Sequence, residues 1–243
     1  MELIVNGIKI NCLQKKNGGK KIIFLHGWGG STDSFKGVAD RLEDYDMLLI
    51  DMPPFGKSGE PTIPLTVYDY AEILKETADI CGFCSFSVVA HSFGCRIALK
   101  FAALYPGRVE SMVLTGAAGV KPRRSLKYRF KVAAYKLRKK LVSLGLAKKE
   151  SLESFGSEDY KALSGVMKKT FVNVVNEDLT GILKDIKCPV LLYFGKSDRD
   201  TPLYMAHKME KRIPDCALIT AEGGHFAYLT HINSFAGIIA NFI

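Results

Sequence analysis

Phe86-Ser87-Val88-Val89-Ala90-His91-Ser92-Phe93-Gly94-Cys95-Arg96-Ile97-Ala98-Leu99-Lys100-Phe101 is the stretch that decides the fold. An apolar run ends at Ala90-His91-Ser92-Phe93-Gly94, and helical spacing begins at Cys95. A serine two residues from small residues on either side, here Ala90 and Gly94, marks a sharp turn from strand to helix. Such a turn pushes the serine hydroxyl outward and points the N-terminus of its own helix at whatever reacts there. Ser92 has a second reading as an ordinary helix N-cap, a position serine favours.

Outward from this turn, the same alternation repeats. Leu3-Ile4-Val5 and Ile8–Cys12 flank Asn6-Gly7, a hairpin signal. Short apolar runs follow at 21–25, 47–50, 112–115, 190–194 and 217–219. Helical spacing falls at 33–43, 66–80, 203–213 and 232–242. Eight strands alternating with helices predict an α/β fold with a mostly parallel sheet covered on both faces. The alternation breaks once, between about Ala117 and Lys187, where helical patterning continues without a strand. The expected division is therefore a core of residues 1–118 and 187–243 with a helical insertion over 119–186.

In such sheets, ligands collect beyond the carboxyl ends of the strands. Four strand ends carry polar or loop residues: His26-Gly27-Trp28-Gly29-Gly30, Ser92, Gly195-Lys196-Ser197-Asp198, and Gly223-Gly224-His225. A fifth loop, Asp51-Met52-Pro53-Pro54-Phe55-Gly56-Lys57-Ser58, is excluded from helix and central strand by its prolines. Serine is a weak nucleophile that needs an adjacent base, and a histidine base needs a carboxylate to orient it. Ser92, His225 and Asp198 are the candidates; Asp200 is the competing carboxylate, and the spacing from Gly195 favours Asp198.

These motifs, in this order, resemble the α/β-hydrolases over nearly the whole chain. The chain departs from the family pattern at Ala90 and at Pro54, each in place of the usual glycine. The resemblance implies catalytic Ser92, Asp198 and His225, and an oxyanion hole from the backbone N–H groups of Trp28 and Phe93. It also implies that the insertion is a lid over the crevice. Lid residues Phe130, Tyr160 and Met167, with Trp28, His91 and Phe226, would then line the substrate pocket. The implied activity is hydrolysis of a carboxylic ester or related acyl bond through an acyl-enzyme. Alternatives within the fold are carbon–carbon bond hydrolysis of dienone-type ring-cleavage products, and a lyase or synthase of menaquinone-type chemistry. A serine at 92 argues against epoxide hydrolases and dehalogenases, which need aspartate there. A non-catalytic ligand-binding protein of the same fold is the alternative from another class.

The 243 residues carry a net charge of +9, but the charge is local. Residues 121–150 hold twelve Lys or Arg and one acid, Glu150, so that segment is +11 and the remainder −2. Within 125–144, Leu126, Phe130, Ala133, Ala134, Leu137, Leu141 and Leu144 recur at helical spacing among lysines and arginines, which predicts a basic amphipathic helix. Its basic face is either plain solvated surface or a dock for an acidic partner: a carrier protein, a CoA-linked substrate or an anionic membrane surface. This charge and the His26-Gly27-Trp28-Gly29 loop resemble features of the pimeloyl-carrier-protein methyl ester esterases. Nucleic acid ranks last for want of any recognition motif.

Six scattered cysteines, no apolar run of membrane-spanning length and an N-terminus unlike a signal peptide predict a cytoplasmic protein. Cys81-Gly82-Phe83-Cys84 has metal-pair spacing without a second pair, so its thiols are expected to be buried or incidental. No metal or other cofactor is expected, because the glycines after His26 lack phosphate-binding spacing.

Overall fold

The computed structural model describes residues 1–122, 126–146, 148, 160, 163 and 165–243. Asn6 and Gly7 both adopt positive φ, 50° and 74°, the geometry of a two-residue hairpin turn. They join β1 (Glu2–Val5) to β2 (Ile8–Lys15). The chain continues through β3 (Lys20–Leu25), α1 (Asp33–Ala39), β4 (Tyr45–Asp51), α2 (Val67–Ile80), β5 (Phe86–His91), α3 (Phe93–Leu104) and β6 (Val109–Thr115). Among the described residues, α4 (Leu126–Ser143) and α5 (Gly165–Asn176) follow, then 3₁₀ turns at Leu179–Gly181 and Leu183–Asp185. The chain closes through β7 (Val190–Gly195), α6 (Leu203–Glu210), β8 (Cys216–Ala221), α7 (Ala227–Thr230) and α8 (Ile232–Phe242).

The eight strands form one sheet in the order β1-β2-β4-β3-β5-β6-β7-β8. β1 and β2 pair antiparallel, β2 joins β4 antiparallel, and every other neighbour is parallel. Strand alternation sends side chains to two cores. Ile23, Leu25, Val88, Ala90, Leu114 and Leu192 pack against α2, α3 and α6. Ile22, Phe24, Leu49, Val89, Val113 and Tyr193 pack against α1 and α8. The expected α/β sheet with helices on both faces is therefore observed. α2 begins with a capping box in which Thr66 and Asp69 satisfy each other's backbone N–H.

The turn after β5 is the sharpest feature of the sheet. Ser92 has φ 48° and ψ −104°, a region that costs a non-glycine residue about 1–3 kcal/mol. Gly94 sits where a Cβ would lie 2.3 Å from the Leu25 carbonyl oxygen and 2.8 Å from that of His26. Gly94→Ala is expected to push β3 away from α3 and to cost about 1–3 kcal/mol. The urea midpoint checks this; an unshifted midpoint would mean that the two strand ends can part without cost.

The helical patterning expected between Ala117 and Lys187 appears, among the described residues, as α4, a helical Tyr160 and α5. The amphipathic pattern at 125–144 forms α4, but its apolar stripe faces solvent, with Phe130 75% exposed. Arg123, Arg124, Lys149 and Glu150 of the basic run also fall outside the described residues.

Candidate active site

Beyond the carboxyl ends of β3, β5, β6 and β7 lies a crevice of about 510 Å³, within the range of small-molecule sites. Gly27 and Trp28 form one wall, Ser92 and Phe93 the floor, and His225 and Phe226 the opposite rim. The sheet order explains why: β3, β5, β6 and β7 are neighbours, so residues distant in the chain meet at one end.

Ser92 stands at the N-cap position of α3, yet its side chain makes no cap hydrogen bond. Its N–H donates to the Thr115 carbonyl at 3.1 Å, which pins the turn to β6. Phe93 is the first residue of α3, so its N–H has no partner within the helix. The ring of Phe93 packs edge-on against Trp28, 5.2 Å between centroids, which holds the loop after β3 over the turn after β5.

His225 Nδ1 and Asp198 Oδ2 are 2.8 Å apart. Asp198 is buried, and burial alone would raise its pKa. Hydrogen bonds from His225, from the Thr201 N–H and from the Thr201 hydroxyl outweigh that and hold it below the usual carboxylate range. The Asp198 carboxylate is therefore ionised and only accepts, so His225 Nδ1 carries the proton and Nε2 is left as the basic nitrogen. Asp198 Oδ1 accepts from the N–H groups of Asp200 and Thr201, both at 2.9 Å, and Oδ2 accepts from the Thr201 hydroxyl at 2.8 Å. Of the two candidate carboxylates, Asp198 meets the imidazole, while Asp200 is exposed and donates to Asp198 through its backbone. Asp198, Asp200 and His225 lie close enough together to hold a cation. The Asp198 oxygens, however, are already taken by four donors, which is the environment of an imidazole-orienting carboxylate rather than a metal ligand.

Two further histidines are kept neutral. His26 Nδ1 donates to the Gly27 carbonyl at 2.7 Å, and its Nε2 accepts from the Met52 N–H at 2.9 Å. Burial lowers its pKa. It ties the loop after β3 to the loop after β4, where Asp51 in turn accepts from the N–H groups of Thr32 and Lys57. His91 lies under His225, 4.6 Å between ring centroids, with Nδ1 directed at the Thr115 carbonyl. Burial first, and the neighbouring His225 second, bring its pKa down to about 3. No second cation then opposes an imidazolium at His225.

The sign of the pH effect follows from His91. The unfolded chain takes up this proton near the ordinary histidine pKa, whereas the folded chain does so only at about 3. Between those values the unfolded state binds more protons, so stability falls as the pH falls. The urea midpoint is expected to drop steadily on acidification from neutrality, and to drop less in His91→Asn. A midpoint flat across that range would show that His91 is not buried neutral.

The expected pocket residues divide. Trp28, His91 and Phe226 line the crevice. Met167 is buried, and Tyr160 approaches Phe171 at 6.2 Å between centroids; neither is among the lining residues. Phe130 faces solvent and stands apart from the crevice. The apolar wall comes instead from Phe171, Val174 and Val175 of α5, with Phe171 5.1 Å from the Trp28 ring. Hydrogen bonds to the chain before α2 anchor that helix: the Leu65 N–H donates to Thr170 Oγ1, and Asn173 Nδ2 donates to the Leu65 carbonyl. Arg96, at 6% exposure, also lines the crevice and caps the end of α5 by donating to the Glu177 and Val175 carbonyls. Burial brings its pKa down to about 10, so it stays charged at neutral pH. Thr201, three residues after Asp198, was legible only as a local side-chain turn. Arg96 and Phe171 carried no signal of their own, because both look like ordinary helix positions.

The cysteines are all free thiols. Cys81 is half-buried beside Cys12, and Cys84 is exposed rather than buried. No described helix is long and apolar enough to cross a membrane.

Several known proteins are similar to this chain. One is the dihydrolipoyllysine-residue acetyltransferase component of the acetoin cleaving system of Cupriavidus necator, 25% identical over 97% of this chain and 66% of its own length. That relative is thus the longer protein, and the chain spans just under two thirds of it. A 2-hydroxy-6-oxononadienedioate/2-hydroxy-6-oxononatrienedioate hydrolase of a Pseudomonas species is 25% identical over 98% of this chain and 93% of the relative. A pimeloyl-[acyl-carrier protein] methyl ester esterase of Chromobacterium violaceum is 26% identical over 91% and 93%. Among solved structures, an esterase from Exiguobacterium antarcticum superposes with a TM-score of 0.77 at 24% identity, covering 98% of this chain and 97% of that one. Residues 20–142, from β3 through the turn at Ser92 into the last turn of α4, match the family described as alpha/beta hydrolase fold. With its eight-stranded sheet and the strained turn at Ser92, the chain belongs to the alpha/beta hydrolase family.

Proposed function

We propose that this protein is a serine hydrolase that cleaves a carboxylic ester or a related acyl bond. The observation that carries the reading is the 2.8 Å pair of His225 Nδ1 and Asp198 Oδ2 at the rim of a crevice whose floor is Ser92. In this mechanism Ser92 Oγ attacks the carbonyl carbon while His225 Nε2 takes its proton. The carbonyl electrons move to oxygen, and the N–H groups of Phe93 and Trp28 receive the charge. Collapse of the adduct expels the alcohol, which leaves with the proton from His225. Water then attacks the acyl-serine by the same route, with His225 as base, and releases the acid. Neutral His91 leaves the developing imidazolium unopposed.

Residues 119–186 act as the lid in this reading, with α5 as its inner wall. Trp28, Phe171, Val174 and Val175 offer apolar surface, which suits a small apolar acyl group. The partner is a small-molecule substrate, met in the cytoplasm. Ester hydrolysis is also the activity named for the Chromobacterium and Exiguobacterium proteins.

One observation favours a second reading. Arg96 places a buried cation on the crevice wall, where it would attract an anionic end of the substrate. The Pseudomonas relative is named for a dienedioate, which carries carboxylates. Carbon–carbon bond hydrolysis of such a compound would use the same three residues. The two readings separate in a substrate panel: methyl and p-nitrophenyl esters of increasing acyl length beside a dienone carboxylate. Turnover of the esters with no dienone cleavage supports the first reading. The reverse result replaces it with the second, and no turnover of either defeats both.

A further inference from the structure

Helix α4 leaves an apolar stripe open to water. Phe130, Leu137 and Leu144, spaced seven residues apart, are 75%, 61% and 61% exposed. Ala133 and Ala134 are exposed beside them, and Leu146, past the helix end, is exposed as well. Helical spacing puts these residues within one narrow arc. The half-buried Val132, Tyr135 and Val142 fall on the opposite side, and Leu141 marks the stripe's half-buried edge. Lys136 and Lys140 border the stripe on one side and Arg138 on the other, all exposed. From Lys121 to Lys149 the sequence contains no Asp or Glu.

A helix packed on its own core turns its apolar face inward and its charges outward. Here the two largest classes of side chain, apolar and cationic, both face water. We propose that α4 is a docking surface for an anionic phospholipid bilayer, lying in the plane of the interface. Phe130, Leu137 and Leu144 would enter the headgroup–acyl boundary along about 21 Å of helix. The flanking lysines and arginine would reach back to the phosphates. Charge decides among occupants. A second copy of the chain would set Lys136, Arg138 and Lys140 against their own counterparts, like charge on like. An acidic protein would meet the cations but not the stripe between them. The folded core carries a cationic patch of its own. A cavity of about 640 Å³ is lined by Lys121, Tyr204, His207, Lys208, Lys211 and Arg212, and Lys121 lies five residues before α4 begins. The inference stands apart from the proposed chemistry and does not depend on it.

The test is flotation of the full chain with vesicles at low salt. Ser92→Ala protein is used so that lipid hydrolysis cannot intervene. One vesicle set is phosphatidylcholine alone, and in the other a third of the lipid is phosphatidylglycerol. The protein is expected to float with the anionic set and to remain below with the neutral one. Phe130→Ser with Leu137→Ser, and separately the glutamine variants of Lys136, Arg138, Lys139 and Lys140 together, should each lower the bound fraction by about tenfold or more. Leu144→Ser with Leu146→Ser is an independent second pair, and an unchanged circular dichroism spectrum shows that each variant is folded. Absence of flotation on anionic vesicles overturns the proposal. So does flotation that survives loss of both apolar pairs, or capture by an acidic carrier protein with no vesicle binding.

Discussion

Ser92→Ala is expected to lower kcat/KM toward any ester substrate by roughly 10⁵–10⁶-fold, with the fold and its stability intact. The size of the effect follows from the interdependence of the site. Without Oγ, the proton acceptor at His225 has nothing to activate, and the N–H groups of Phe93 and Trp28 have no covalent adduct to hold. A residual acceleration over water would come from those donors and from binding alone. Stability should not fall, because the Ser92 side chain makes no cap hydrogen bond and the strain of φ 48° lies in the backbone. Kinetics on the best ester of the panel, together with labelling by a fluorophosphonate, check the claim. Wild type should label at a single residue and Ser92→Ala not at all. Undiminished labelling of the variant would remove Ser92 from the mechanism.

Asp198→Asn is expected to lower kcat by about 10⁴-fold, and the reason lies in the hydrogen bonds around the carboxylate. Oδ1 accepts from the N–H groups of Asp200 and Thr201, so an asparagine must place its carbonyl oxygen there. Its amide NH₂ then points at His225 Nδ1, where Oδ2 had accepted a hydrogen bond. Two donors cannot face each other, so the imidazole must shift its proton to Nε2. That nitrogen can no longer take the proton of Ser92. The Thr201 hydroxyl can turn round and accept from the new amide, so the fold should be retained. Rate measurements paired with a urea titration test the argument. A loss of less than about tenfold would show that His225 is oriented by something other than Asp198.

Much of the fold was legible because it is written in short-range patterns. Asn6-Gly7 specified the first hairpin, apolar runs of three to five residues marked the strands, and the spacing at 66–80 marked α2. The candidate site was legible as a set of strand ends, because glycine-flanked polar residues after apolar strands serve either loop closure or chemistry. The geometry among them was not. Asp198 and Asp200 are alternatives two residues apart, and the choice depended on which side chain turns under a loop closed by Thr201. Phe130 lies outside the crevice lining, contrary to expectation, since an apolar stripe at helical spacing does not say which way it faces. Phe171, Val174 and Val175 reach the crevice because Leu65, more than a hundred residues earlier, anchors α5 beside Trp28.

By itself, then, the sequence determined the alternation of strands and helices, the sharp turn at Ser92 and the concentration of charge between 121 and 150, because each is a property of neighbouring residues. Only the tertiary structure decided which carboxylate meets His225, which histidines stay neutral, and which helix walls the crevice. Those outcomes depend on burial and on contacts between distant segments, set by the order in which the strands pair. The outward turn of the α4 stripe belongs with them: amphipathicity is a local property, but the side of the helix that meets the core is not.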